Sequence, residues 1–261
     1  MDSEKLKEYQ EILSKDTSKV PEFWINKYKN EAAKNWDRFY QRNTTNFFKD
    51  RHWIDKEFDD FTNTIKDEDS KPVAFEMGCG VGNFIYPVLR DHPKLFMHAC
   101  DFSKRAIEFV KEHEDYNPER CHPFVCDLTQ DDLTQHIEPN SVDIASAIFV
   151  LSAIPPEKMP QTVQNIAKIM KPGGIIIFRD YAKYDAAQLR FKSGSKLEEN
   201  LYVRQDGTMA YYFDQAELFN LFSDNGFNPI SIDPIYKETI NRKQELHMNR
   251  IFLQAKFVKR A

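Results

Sequence analysis

One short stretch constrains this chain more than any other. Glu76-Met77-Gly78-Cys79-Gly80-Val81-Gly82-Asn83 closes an apolar run that starts at Val73 and opens a helical pattern over Asn83–Arg90. Glycines there let the backbone turn sharply and approach a ligand closely. The pattern then repeats. Leu95–Cys100 reads as a strand ending at Asp101, and Ser103 caps a helix to about His113. Cys121–Cys126 reads as a third strand ending at Asp127, and Val142–Val150 as a fourth. A helix over Pro156–Met170 is stopped by Lys171-Pro172-Gly173-Gly174, and Ile175–Phe178 follows as a fifth strand. Strand and helix in alternation imply a parallel sheet with helices on both faces. Such sheets bind ligands at the carboxyl ends of their strands, where these acids and glycines lie.

The flanks differ. Residues 1–70 read as a helical extension and 71–261 as the α/β domain. Phe23, Ile25, Tyr28, Ala32, Trp36 and Tyr40 recur at helical spacing over Glu22–Tyr40, and Asn43-Thr44-Thr45-Asn46 breaks the run. An aromatic and basic loop, Phe47–Trp53, precedes an expected helix over Ile54–Ile65 and a polar linker, Lys66–Lys71. In the last third the pattern predicts a helix over Tyr184–Phe191 and a hairpin over Leu201–Phe213 around Asp206-Gly207. A helix from Asp214 to Asn225 follows, then strands near Asn228–Tyr236 and Arg250–Val258. The expected class is thus α/β: a Rossmann-like, mostly parallel seven-stranded sheet with helices on both faces, plus an N-terminal helical extension.

Charge and cysteine usage bound the partners. Net charge is −5, which argues against a general nucleic-acid binder. Lys27–Lys56 nevertheless carries eight cations against four acids, a local basic footprint interleaved with aromatics. That mixture suits stacking on unpaired bases and phosphate contact, and equally an amphipathic helix with a solvated face. Cys79, Cys100, Cys121 and Cys126 lie in or beside apolar runs without a C-x-x-C pair, so no metal site is expected and a reducing compartment fits. No run is apolar enough for a membrane span, and the polar N-terminus resembles no targeting segment. A cytoplasmic monomer is expected, with the nucleus also allowed.

Two cofactor classes suit the turn. A dinucleotide fold favours G-x-G-x-x-G, because pyrophosphate rests on the helix N-terminus; here the third glycine comes one residue early. The loop has no Lys and is not a P-loop. Asp101 is placed to accept ribose hydroxyls, with a helix-capping carboxylate as the competing reading.

The E-x-G-x-G-x-G pattern resembles motif I of class I S-adenosylmethionine-dependent methyltransferases, where Asp101 and Asp127 match ribose- and adenine-holding positions. A narrower likeness lies outside it. Lys34–Tyr40 and Asn46–Trp53 resemble the N-terminal signature of the tRNA N3-methylcytidine methyltransferases. Ala99–Ser103, Ile148–Ser152, Phe178–Tyr181 and Tyr202–Thr208 match further. The resemblance covers roughly residues 31 to 258. It implies S-adenosylmethionine as cofactor, held by Trp36, Tyr40, Glu76, Gly78, Gly80, Gly82, Asn83, Asp101, Phe102, Asp127, Leu128 and Ile148. It implies cytidine 32 of the tRNA anticodon loop as target. The short N-terminus is most similar to the members acting on serine tRNAs, which are associated with seryl-tRNA synthetase.

Chemistry narrows the rest. Neutral cytidine has a lone pair at N3, so no proton need leave, and the product is cationic. Asp180, at the end of the fifth strand, is the expected catalytic carboxylate, with Arg179 and Tyr181 beside it. A structural Arg179–Asp180 ion pair is the competing reading. Lys49, Arg51, His52, Arg190 and Arg204 are expected to hold base and phosphates. Methyltransferases of exocyclic amines often carry N/D-P-P-Y after the fourth strand; here Phe149-Val150-Leu151-Ser152 stands there. A methyltransferase of small molecules or proteins, or a catalytically silent scaffold, remains an alternative.

Overall fold

The computed structural model describes residues 3–51, 53, 57–58, 71–241 and 246–261. Its centre is a seven-stranded sheet in the order β3-β2-β1-β4-β5-β10-β9. β1 (Val73–Met77), β2 (Phe96–Asp101), β3 (Cys121–Val125), β4 (Val142–Ile148) and β5 (Met170–Tyr181) are parallel, while β10 (Leu246–Lys259) runs antiparallel to β5 and to β9 (Phe227–Asn241). The central strands are apolar without alternation because both faces are covered. One buried cluster includes Phe75, Met77, Ile176, Phe178 and Phe257; the opposite one includes Ala74, Met97, Ile144 and Ile177. The strand order reverses between β1 and β4, so a crevice opens at their carboxyl ends.

Seven helices are used below: α1 (Ser3–Ser14), α2 (Glu22–Asn30), α3 (Ala32–Asn43), α4 (Ile85–Asp91), α5 (Lys104–Glu112), α6 (Met159–Ile169) and α7 (Gln215–Ser223). Ser103 caps α5 by accepting from the Ala106 N–H, and Asp214 and Glu217 form a capping box on α7. A small sheet, β6 (Lys196–Glu198), β7 (Leu201–Val203) and β8 (Met209–Tyr211), carries the expected hairpin, with Gly207 at φ 84° in its turn.

Several expectations change. The single run Glu22–Tyr40 divides at Glu31 into α2 and α3. α2 buries no residue, whereas α3 buries Asn35, Phe39 and Tyr40; the break turns the second apolar face onto Val81 of the glycine turn and Ala106 of α5. Tyr184–Phe191 is not a helix but holds one 3-10 turn, Gln188–Arg190. Tyr184 has φ 70°, and the buried Asp185 carboxylate accepts from the Ala187 and Ile251 N–H groups and from Arg250, competing with helical bonding. β5 begins at Met170, so the Lys171–Gly174 stop lies within a bulged strand. β9 and β10 are much longer than expected because they pair with each other beyond the sheet. The expected Ile54–Ile65 helix lies largely outside the described residues. No described helix is long and apolar enough to cross a membrane.

Candidate active site

Two adjoining cavities open at the reversal point, sharing Trp36, Tyr40, Gly78 and Phe149 as walls. The first, of about 530 Å³, is lined by the strand-end residues Asp101, Phe102, Asp127 and Leu128, with Val150 and Ile154 opposite. The second, of about 540 Å³, is lined by Glu76, Asn83, Arg51, Ser152, Tyr181 and Arg204.

The glycine turn makes the first cavity possible. Gly78 and Gly80 sit at φ 58° and 54°, in the left-handed region. A Cβ on Gly78 would lie 2.5 Å from Val150 Cγ2, and one on Gly80 3.1 Å from the Tyr40 hydroxyl. Gly82, at φ 94°, packs instead on the Tyr86 ring and lines neither cavity. Asp101 accepts from the Gly80 N–H at 3.0 Å and the Ser103 N–H at 2.9 Å, joining β2 to the turn. Burial pushes its carboxyl up to about 6 against those two bonds. Asp127 accepts from Thr129 and Gln130 and faces the same space.

α3 closes the cavities from above. Trp36 and Tyr40, four residues apart, share one helix face. The helix is tied down at two points: Ser103 donates to Asp37 at 2.8 Å, and Asn35 donates to the Gly207 carbonyl at 3.0 Å. The buried Trp36 Nε1 has no protein partner.

The electrostatics of the second cavity centre on Glu76. It is 3% exposed, and its Oε2 has no hydrogen-bond partner. Burial drives its carboxyl up to about 8; the Arg51 charge opposes this and Asp101 adds to it. A buried carboxylate facing an open cavity without a partner is suited to a cationic ligand group. Arg51 itself turns inward. Its Nη1 donates to the Ile148 carbonyl at 3.1 Å, and its guanidinium lies 5.6 Å from the Phe149 ring centre. It is therefore a wall of the site and not part of a surface footprint, because its backbone is pinned to Asn83 at the glycine turn. Lys49 is exposed, and His52 lies outside the described residues.

Asp180 and Arg179 differ from expectation. Successive strand residues point to opposite faces, so the two do not form an ion pair. Asp180 is fully buried and lines neither cavity; it accepts from the Ser152 and Tyr181 N–H groups, each at 2.9 Å. Burial raises its carboxyl to about 6 against those bonds. It ties the turn after β4 to the end of β5. Arg179 pairs with Glu57, contacts Gln254, and lies 4.0 Å from the Trp53 ring centre. It anchors the N-terminal extension to the sheet. Tyr181 and Arg204 do line the second cavity, the Arg204 guanidinium 5.6 Å from the Tyr181 ring. Ile148 lines neither cavity and offers only its carbonyl to Arg51. Arg190 is exposed, its Nη1 3.0 Å from the Met248 sulfur.

Phe149 was missed as a site residue. It is held at φ 57°, costly for an aromatic residue, by an N–H bond to the Arg179 carbonyl. Its place directly after β4 is the signal that could have found it. Among the described residues no group of three or more His, Cys, Asp or Glu converges to hold a metal, and all four cysteines are buried and free.

Comparison with known proteins follows from this geometry. Residues 75–176 match the family described as "Methyltransferase domain". The chain is 51% identical to the human tRNA N(3)-cytidine methyltransferase METTL6 over 252 residues, covering 97% of this chain and 89% of that protein. It is 45% identical to the tRNA(Thr) (cytosine(32)-N(3))-methyltransferase of Saccharomyces cerevisiae, over 91% of this chain and 38% of that longer protein. A SAM-dependent methyltransferase structure from Anabaena variabilis superposes with TM-score 0.64 at 13% identity, covering 87% of this chain and 95% of that one. This last likeness concerns the fold.

Proposed function

The chain belongs to the tRNA N(3)-cytidine methyltransferase family, and we propose that it transfers a methyl group from S-adenosylmethionine to N3 of a cytidine in tRNA. One observation carries the reading beyond kinship. The two cavities share a wall, one built for a nucleoside by strand-end acids, the other by an aromatic and a guanidinium group suited to a base.

The residues fit the cofactor. Asp101 and Asp127 face the first cavity, and the turn leaves no room there for a Cβ on Gly78. The partnerless Glu76 Oε2 supplies negative charge toward a cationic amino-acid end. When bound, S-adenosylmethionine supplies an electrophilic methyl group on a sulfonium.

The remaining work falls to side chains of this chain. Cytidine N3 is hidden while the base is paired or stacked, so the base must leave the helix stack to be read. Tyr181, Phe149 and Arg204 offer two ring faces and a guanidinium in the second cavity to receive it. N3 needs no deprotonation, so rate comes chiefly from alignment. Asp180 acts at one remove: it fixes the Ser152 and Tyr181 backbone and places a carboxylate behind the forming cation.

In this reading the target is position 32 of the anticodon loop, as in the name of the yeast relative. Serine tRNAs are the proposed substrates, with seryl-tRNA synthetase as partner to a monomeric enzyme in the cytoplasm. The test is direct. The purified protein is incubated with total tRNA and S-adenosylmethionine, and N3-methylcytidine is mapped by mass spectrometry and by reverse-transcription stops. N3-methylcytidine at position 32 is expected. Methylation of a small molecule or protein in RNA-free assays, with tRNA unchanged, would overturn the reading.

A further inference from the structure

Residues 144–148 of β4 are all buried, and Ser146 is the polar side chain among them. It is 2% exposed and lines neither cavity, and its Oγ has no hydrogen-bond partner among the described residues. A buried hydroxyl without a partner is costly, so its place in a core strand calls for a reason.

The register supplies one. Ser146 pairs with Glu76 across β4 and β1. Side chains alternate along a strand, and Ala74, Ile144 and Ile148 belong to one buried cluster, so Glu76 and Ser146 lie on that same face. Neighbouring strands lie about 4.8 Å apart, which brings paired side chains on one face within reach of each other. The β5 partner of Ser146 is Ile177, whose side chain offers no polar atom. The two orphaned oxygens, Ser146 Oγ and Glu76 Oε2, thus occupy neighbouring positions at the strand reversal.

Other groups near Glu76 leave that role open. Arg51 faces it from the loop after α3, Asp101 from β2, Tyr40 from α3, Cys79 from the glycine turn and Cys121 from β3. Burial pushes Tyr40, Cys79 and Cys121 upward, so all three are neutral near pH 7. Arg51 supplies charge but directs its Nη1 to the Ile148 carbonyl. A protonated carboxyl needs little from a neighbour, whereas a buried carboxylate needs a donor.

We infer that Ser146 is a positioning residue for the cofactor: its hydroxyl turns to donate to the Glu76 carboxylate when the cationic amino-acid end of S-adenosylmethionine arrives. The inference rests on the cofactor reading above and adds a residue outside both cavities. A hydrogen bond to the charged form favours that form, so Ser146 makes ionisation of Glu76 easier and cofactor binding tighter.

The test uses the full chain and reads two quantities. Ionisation of Glu76 in the ligand-free protein is followed by difference infrared spectroscopy of its carboxyl band, assigned with Glu76→Gln. Affinity for S-adenosylmethionine is measured by calorimetry from pH 6 to 7.5. Ser146→Ala should move the Glu76 midpoint upward by about one pH unit and weaken cofactor binding about tenfold. Ser146→Thr, which keeps the hydroxyl, should restore the wild-type midpoint. In the Glu76→Gln background Ser146→Ala should change affinity by less than about twofold, because the amide carries no charge to stabilise. An unmoved midpoint in folded Ser146→Ala would overturn the assignment. So would an equal loss of affinity in the Glu76→Gln background, which would mark Ser146 as a packing residue only. Failure of the parent reading shows separately, as absence of S-adenosylmethionine binding by the wild-type protein.

Discussion

Replacing Glu76 by Gln isolates the electrostatics of the cofactor site. Burial holds the Glu76 carboxyl near about 8, so in the free protein it is protonated at neutral pH. The carboxylate is the form that pairs with a cationic ligand, so cofactor binding must release the proton. With that pKa, the ionised fraction rises from about 1% at pH 6 to about 24% at pH 7.5. Affinity for S-adenosylmethionine should therefore rise about 20-fold over that window, in which the ligand's own ammonium stays largely charged. Asp101, held near about 6, lines the adjoining first cavity and adds a further factor of about two. Arg51 remains cationic throughout. Isothermal calorimetry from pH 6 to 7.5, in buffers of different ionisation enthalpy, reads both affinity and proton release. The wild type should release about one proton per cofactor near pH 7; Glu76→Gln should release almost none and keep only the twofold rise. Stability moves the opposite way. The folded protein holds this proton more tightly than the unfolded chain, so the contribution of Glu76 to stability is fully present below the ordinary value of 4.5 and is lost as pH rises through about 8. Glu76→Gln should flatten that fall in Tm. Equal pH slopes of affinity in wild type and variant would refute the reasoning.

Other substitutions probe the supports. Asp180→Asn keeps one acceptor oxygen and loses the charge; single-turnover methyl transfer should fall roughly tenfold to hundredfold, with about 1–3 kcal/mol lost in denaturant unfolding because a buried N–H loses its partner. Unchanged single-turnover rates would remove Asp180 from the account. Arg179→Ala breaks the Glu57 pairing and the Trp53 contact, and should cost about 3 kcal/mol while exposing the N-terminal extension to limited proteolysis. Gly78→Ala must place a methyl at φ 58° against Val150; cofactor affinity measured by equilibrium dialysis should fall by roughly two orders of magnitude, and the strained backbone should cost about 1–2 kcal/mol in stability.

Much of this protein is set by local pattern. Continuous apolar runs separated by helical periods specify β1 to β5, and the glycines after Val73–Met77 mark where the chain must turn around a ligand. Capping chemistry at Ser103 and Asp214 is local and was legible, as was the turn at Gly207. The strand-end positions of Asp101 and Asp127 follow from the same alternation. Side-chain direction is a different matter, because it depends on which neighbour each face meets. Arg51 sits in a basic, aromatic stretch that reads as a nucleic-acid surface, yet a backbone bond to Asn83 and the Ile148 carbonyl turn it into the site. Arg179 and Asp180 are adjacent in sequence and read as a pair, but the pleat sends one to Glu57 and the other to Ser152. The length of β9 and β10 was likewise hidden. Their outer halves pair as strands with each other and not with β5, a pairing between distant segments that no local period records, and that pairing carries the arm beyond the sheet.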